Sequence, residues 1–146
     1  DPLPKFTPPS DPPAGYFRLI YGRSPVHSFA RTQNNASLNG LMSENELWIH
    51  TRSARDAGVR DGDRVHLQNT DGILGAEVRV KVTEGIRGDC VYLVHGFGHK
   101  SKAMRRAYGR GASDTELMSR VKVDPIMGGT GMRVNFVRLT TGEAES

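Results

Sequence analysis

The chain has 146 residues, of which 36% are hydrophobic and 25% charged, and it carries a net charge of +4 at neutral pH and one cysteine. That length suits one domain with one core, and the composition is that of an ordinary globular protein. No apolar run approaches the ~20 residues of a membrane-spanning helix, and a lone Cys90 excludes an internal disulfide. The chain starts at Asp1 with no basic-then-apolar leader, so it is expected to be a fragment or processed product with any export signal upstream.

Residues 1–14 hold six of the eight prolines, which remove backbone donors and disfavour helix, so this stretch is expected to be an extended linker or wrapping arm. The domain proper is expected over residues 15–140, with a flexible acidic tail at 141–146. YFRLIY at 16–21 is the first predicted strand. Leu38, Leu41 and Met42 mark a short helical turn by their spacing, and LWIH at 47–50 predicts a second strand. Residues 51–57 predict a short helix with Thr51 as N-cap and Gly58 as stop.

Turns at Asp61–Gly62–Asp63 and Asp71–Gly72 bracket a strand at 64–68. The clearest period follows: Ala76, Val78, Val80 and Val82 face one way and Glu77, Arg79, Lys81 and Thr83 the other. CVYLVH at 90–95 is a nearly continuous apolar run that fits a central strand. Residues 113–120 predict a helix with Ser113 as N-cap and Glu116 completing a capping box. A last strand is expected at 133–139, with Val134, Phe136 and Leu139 alternating imperfectly. Six or more short strands with few, short helices predict a mainly β protein, a compact barrel with helical decorations.

Three stretches carry chemistry. The run Tyr21 to Asn35, YGRSPVHSFARTQNN, abandons periodicity after a strand and is dense in hydrogen-bond donors, with two fixed positive charges at Arg23 and Arg31. It predicts a polar, anionic ligand held at a strand end. His95-Gly-Phe-Gly-His99 follows an apolar strand directly, and its glycines allow a close approach of backbone. It is not a nucleoside-triphosphate loop, because the Gly-Lys-Ser triplet is interrupted. Two histidines four apart could bind a metal on a helix, but Gly-Phe-Gly opposes helix. Gly128-Gly129-Thr130-Gly131 enters the last strand beside Arg133, either as an anion-binding nest or as a tight crossover.

Cys90 lies within an apolar strand, where a free cysteine is small, buried and not a metal ligand. No nucleophile–base arrangement emerges, and the chain alone is expected to be catalytically inert, offering donors to a cofactor that does the chemistry. The basic run His99 to Arg110 lacks any nucleic-acid-binding signature, so no nucleic-acid partner is expected.

RSPVHSFARTQNN followed by LNGLMSENELWIH, CVYLVHGFGH at 90–99, and GASDTELM with DPIMGGTGMRVNFVRL at 111–118 and 124–139 resemble the C-terminal domain of molybdenum enzymes of the dimethyl sulfoxide reductase family. The similarity is greatest to thiosulfate and polysulfide reductase catalytic subunits, and it covers residues 16 to 139. It implies a double-psi β-barrel that holds bis(molybdopterin guanine dinucleotide), with the molybdenum ligated by residues outside this chain.

Carried over motif by motif, it implies cofactor contacts from Gly22, Arg23, Ser24, His27, Ser28, Thr32 and Gln33, from His95, Gly96, Phe97 and His99, and from Arg133. Ser113 stands near where many relatives have an asparagine, a departure from the wider pattern. The resemblance also implies a parent catalytic subunit, an iron–sulfur electron-transfer subunit as partner, no direct membrane span, and a place on the periplasmic side of a bacterial membrane complex. The rival from another class is a stand-alone binding or adaptor module on the same barrel.

Overall fold

The computed structural model describes residue 3 and residues 6–140; the predicted tail from 141 lies outside them. In chain order the elements are β1 (Phe17–Gly22), α1 (Ala36–Leu41), β2 (Glu46–His50), α2 (Thr51–Asp56), β3 (Arg64–Asn69), β4 (Val78–Thr83), β5 (Cys90–Val94), β6 (Lys122–Val123), β7 (Thr130–Gly131) and β8 (Phe136–Thr140), with 3-10 turns at Phe29–Arg31 and Thr115–Leu117. Residues 6–13 have no regular secondary structure and are almost wholly exposed, as their prolines dictate.

Six strands close into a barrel in the order β1-β5-β2-β4-β3-β8. Two of the pairings are parallel, β1 with β5 and β2 with β4, and the rest antiparallel. This is the double-psi barrel, and closure leaves its six strands without a free edge. Alternation along the strands fills the interior: Leu19, Leu47, Ile49, Val65, Leu67, Val78, Val80, Val91, Leu93 and Val137 are all buried. Each such side chain contributes about 1.5–3 kcal/mol when removed from water. β5 lies between β1 and β2 and is apolar on both faces, buried at Cys90, Val91, Leu93 and Val94.

Several local expectations shift. α2 is capped by His50 rather than Thr51, because the His50 Nδ1 accepts from Arg52 N at 3.1 Å while its Nε2 faces Glu84 at 3.0 Å. Ala76 is exposed and precedes β4, since the chain there is still closing the 69–75 loop, with Gly75 N donating to Leu67 O at 2.8 Å. α1 buries none of its residues; its spacing reflects the Asn35 cap, whose Oδ1 accepts from Ser37 N and Leu38 N.

The predicted helix at 113–120 is only the turn Thr115–Leu117, without a side-chain cap bond. Two buried asparagines take its backbone instead. Asn69 Nδ2 donates to Leu117 O, and Asn135 Oδ1 accepts from Ser119 N and Arg120 N. β8 starts at Phe136, not Arg133, because Asn135 is committed to this clamp, with its Nδ2 donating to Arg120 O at 2.8 Å.

Candidate functional site

The parallel pairing of β1 and β5 puts Gly22 level with Val94, so the loops leaving both strands start side by side. Gly22 O accepts from His95 N at 2.9 Å, which ties the two exits together. The donor-rich loop 22–35 and the glycine loop 95–99, far apart in the chain, thus build one end of the barrel.

Much of the first loop is occupied in shaping itself. Ser24 Oγ accepts from Val26 N and His27 N. His27 is 5% exposed, with Nε2 against Met42 O at 2.7 Å and Nδ1 against the Thr32 hydroxyl at 3.3 Å. With Nε2–H donating to that carbonyl, both ring nitrogens are used within the protein. Thr32 Oγ1 also accepts from Ser28 N. Gln33 is buried, and its Nε2 donates to Gly96 O at 2.7 Å and to Phe29 O at 3.2 Å, stitching the loops together. Phe97 is buried edge-on against His27, with ring centroids 5.6 Å apart.

Gly96 and Gly98 approach protein backbone, at Ala30 and Ser113 respectively. His99 leaves its buried Nε2 without a partner among the described residues. Ser113, also buried, exchanges a hydrogen bond with the Thr115 hydroxyl.

What remains presented outward is a row of rings. Phe29 and Tyr21 both lie near the His95 ring, at centroid distances of 5.4 and 6.0 Å. The Arg23 guanidinium stands 5.2 Å from the Phe29 centroid, and that of Arg133 stands 5.9 Å from Tyr21. Arg133 is held in place from β1, where Arg18 Nη1 donates to its carbonyl at 2.7 Å. Phe29 has a φ of +52°. A bulky residue seldom adopts that conformation, which costs on the order of 1–3 kcal/mol and persists only where neighbours enforce it. Here the Gln33 bond to its carbonyl and the His95 ring do so.

Behind the row sits Asp114, 1% exposed. Its Oδ2 faces His95 Nδ1 at 2.8 Å, and its Oδ1, like Gln33 Oε1, meets no donor among the described residues. Sequence reasoning missed this carboxylate because the Ser-Asp-Thr-Glu pattern reads as a surface helix cap. It also missed Asn45, fully buried, whose Nδ2 donates to Val94 O and Ala112 O while its Oδ1 accepts from Ala112 N. That clamp holds residues 112–114 against the end of β5.

The basic run folds back onto the first loop. Lys100 pairs with Glu116 at 2.6 Å, and Asn34 Oδ1 accepts from Arg106 N at 2.9 Å. Cys90 lies far down β5, where burial first and then the Asp89 charge push its thiol above the ordinary range, the opposite of a thiolate ligand. Among the described residues no group of three or more His, Cys, Asp or Glu side chains gathers as a metal cluster.

Rings with guanidinium groups against two of them, beside buried oxygens lacking donors, fit a flat, anionic heterocycle that carries N–H groups. Fold and site together define a cofactor-holding barrel. The chain belongs to the Molydopterin dinucleotide binding domain family, whose profile matches residues 17–135.

It is 33% identical over 110 residues to the thiosulfate reductase molybdopterin-containing subunit PhsA of Salmonella typhimurium, covering 75% of this chain and 14% of that protein. It is 27% identical over 121 residues to the arsenate respiratory reductase molybdopterin-containing subunit ArrA of Chrysiogenes arsenatis, covering 79% of this chain and again 14% of the relative. Both relatives are thus much larger proteins in which the matching part is one domain. Acetylene hydratase from Pelobacter acetylenicus shares the fold, with a TM-score of 0.64 and 13% identity over 84% of this chain and 18% of that one.

Proposed function

We propose that this domain covers bis(molybdopterin guanine dinucleotide) in a molybdenum oxidoreductase that reduces a sulfur oxyanion or polysulfide. The observation that carries the reading is the row Arg23–Phe29–His95–Tyr21–Arg133 at the joined exits of β1 and β5. When bound, the cofactor supplies two-electron chemistry at a molybdenum ligated outside this chain. The residues here bind, orient and shield it.

Arg23, Ser28, His95 and Arg133 are the contacts that reach outward. Gly22, Ser24, His27, Thr32, Gln33, Gly96, Phe97, His99 and Ser113 form the frame that holds them, several of them buried and bonded within the protein. The thiosulfate reductase relative supports the sulfur substrate, and the lengths of both relatives support a parent catalytic subunit. An iron–sulfur electron-transfer subunit and a periplasmic location are proposed with it on the family resemblance.

The test uses the parent protein carrying Arg23→Ala, Arg133→Ala and both together, with pterin and molybdenum per polypeptide as the readout. Loss of a charge-assisted hydrogen bond costs about 1.5–3 kcal/mol, so each single variant is expected to weaken cofactor retention by about tenfold or more. Full pterin and molybdenum content in the double variant overturns the assignment.

A further inference from the structure

The His95–Asp114 pair has features that simple contact with a cofactor does not require. Asp114 is 1% exposed, and the one partner of its carboxylate among the described residues is His95 Nδ1, at 2.8 Å. A buried carboxylate is expensive unless matched by a positive or donating group. That partner fixes the imidazole: Nδ1 carries its proton toward Asp114, so Nε2 is the atom left to act. The His95 side chain is 28% exposed, and its ring lies near those of Phe29 and Tyr21, each of which has a guanidinium against it.

We propose that His95 and Asp114 form a proton-accepting pair that makes oxyanion binding at this end of the barrel proton-linked. The proposal rests on the reading of this end as the ligand-facing site. An oxyanion entering beside the exposed edge of His95 draws a proton from solvent onto His95 Nε2. The imidazolium then donates from Nε2 to the anion and from Nδ1 to Asp114, so the buried carboxylate and the bound anion share one positive ring. No bond other than N–H forms, and no electrons move.

The charged and titratable groups around His95 all fit this role. Tyr21 and Arg23 come from the end of β1 and its loop, Asp114 from the turn held by Asn45, and Arg133 from the segment before β8. Tyr92 on β5 keeps its proton more firmly than usual, through burial and then the Asp114 charge. That leaves His95 as the group that gains charge when an anion arrives. The oxyanion is either a phosphate of the dinucleotide or the sulfur oxyanion of the proposed substrate.

The experiment is isothermal titration calorimetry of the 146-residue chain, whose barrel closes on its own hydrogen bonds and buries its own core. Inorganic pyrophosphate and thiosulfate serve as the two probes, each titrated at about pH 8 in buffers of different ionisation enthalpy, where free imidazole is mostly neutral. Binding with net proton uptake is expected, with affinity falling as pH rises, as proton-linked binding requires. Tighter pyrophosphate binding identifies the cofactor's phosphate as the source, and tighter thiosulfate binding the substrate.

His95→Gln is expected to bind without proton uptake and to lose the pH dependence. Asp114→Asn should retain binding near neutrality but take up fewer protons at the same pH. Because His95 is half-buried, His95→Gln carries the test even if Asp114→Asn fails to fold. Binding without proton uptake in the unsubstituted chain overturns the pair while leaving the cofactor reading standing. The same uptake in His95→Gln, or no saturable binding of either anion, also overturns it.

Discussion

Gly96 gives the sharpest test of how the two loops are joined. Its φ is +98°, and a Cβ there would stand 2.7 Å from Ala30 N and 2.8 Å from the Phe29 carbonyl carbon. Both are backbone atoms, so no rotamer change relieves the contact. The left-handed conformation alone costs an L-residue about 1–2 kcal/mol. Forcing a methyl into packed structure adds roughly 1–3 kcal/mol, so Gly96→Ala should destabilise by about 2–5 kcal/mol. Gly58, which ends α2, is the matched control: its φ is +69°, and a Cβ there would meet nothing within 4 Å. Gly58→Ala should therefore show the conformational cost of about 1–2 kcal/mol and no more.

Urea unfolding followed by circular dichroism measures both. With a slope of about 2 kcal/mol/M, typical of a small domain, the midpoint should fall by about 1–2.5 M for Gly96→Ala and by about 0.5–1 M for Gly58→Ala. The larger effect should be accompanied by weakened Gln33 bonding, since Gln33 Nε2 donates to Gly96 O and Phe29 O. Equal midpoint shifts for the two variants would refute the reasoning, because they would show that the loops do not meet at Gly96.

Cys90 should react with a thiol reagent many times more slowly in the folded chain than in urea, since burial keeps its thiol protonated; Cys90→Ser in the parent should leave molybdenum content unchanged, and molybdenum loss would make the thiol a ligand after all. Asp71 bonds to Ser119 and Arg120, which hold its carboxyl below the usual carboxylate range. A folded value below the unfolded one stabilises above the unfolded pKa of about 3.9 and is lost as pH falls through the folded value. Stability of Asp71→Asn should thus trail the unsubstituted chain at neutral pH and converge with it on acidification, and a gap that persists in acid would contradict the linkage.

The strands were legible in the sequence because their signal is local. Val78 and Val80 alternate with charged neighbours along β4, and the unbroken apolar run of β5 follows from its place between β1 and β2. The donors of loop 22–35 and the glycines of 95–99 were equally plain, as residue types that suit a ligand site. What no local pattern contains is who stands beside whom. The two loops of the candidate site meet because β1 and β5, distant in the chain, pair in parallel, and parallel pairing is a long-range choice that only the closed barrel makes.

The same reason separates reaching residues from framing ones. His27 and Gln33 have the chemistry of ligand contacts, yet tertiary packing turns their polar atoms to Met42 O and Gly96 O. Asp114 looked like part of a helix cap, and became the partner of a histidine nineteen positions away. The helix signalled by the capping box at Ser113 stops after one turn, because Asn69 and Asn135 take Leu117 O, Ser119 N and Arg120 N, backbone groups that a longer helix would need. Propensity within a segment chose the strands. Competition between segments for buried hydrogen bonds, which must be satisfied somewhere, chose the loops and the site they build.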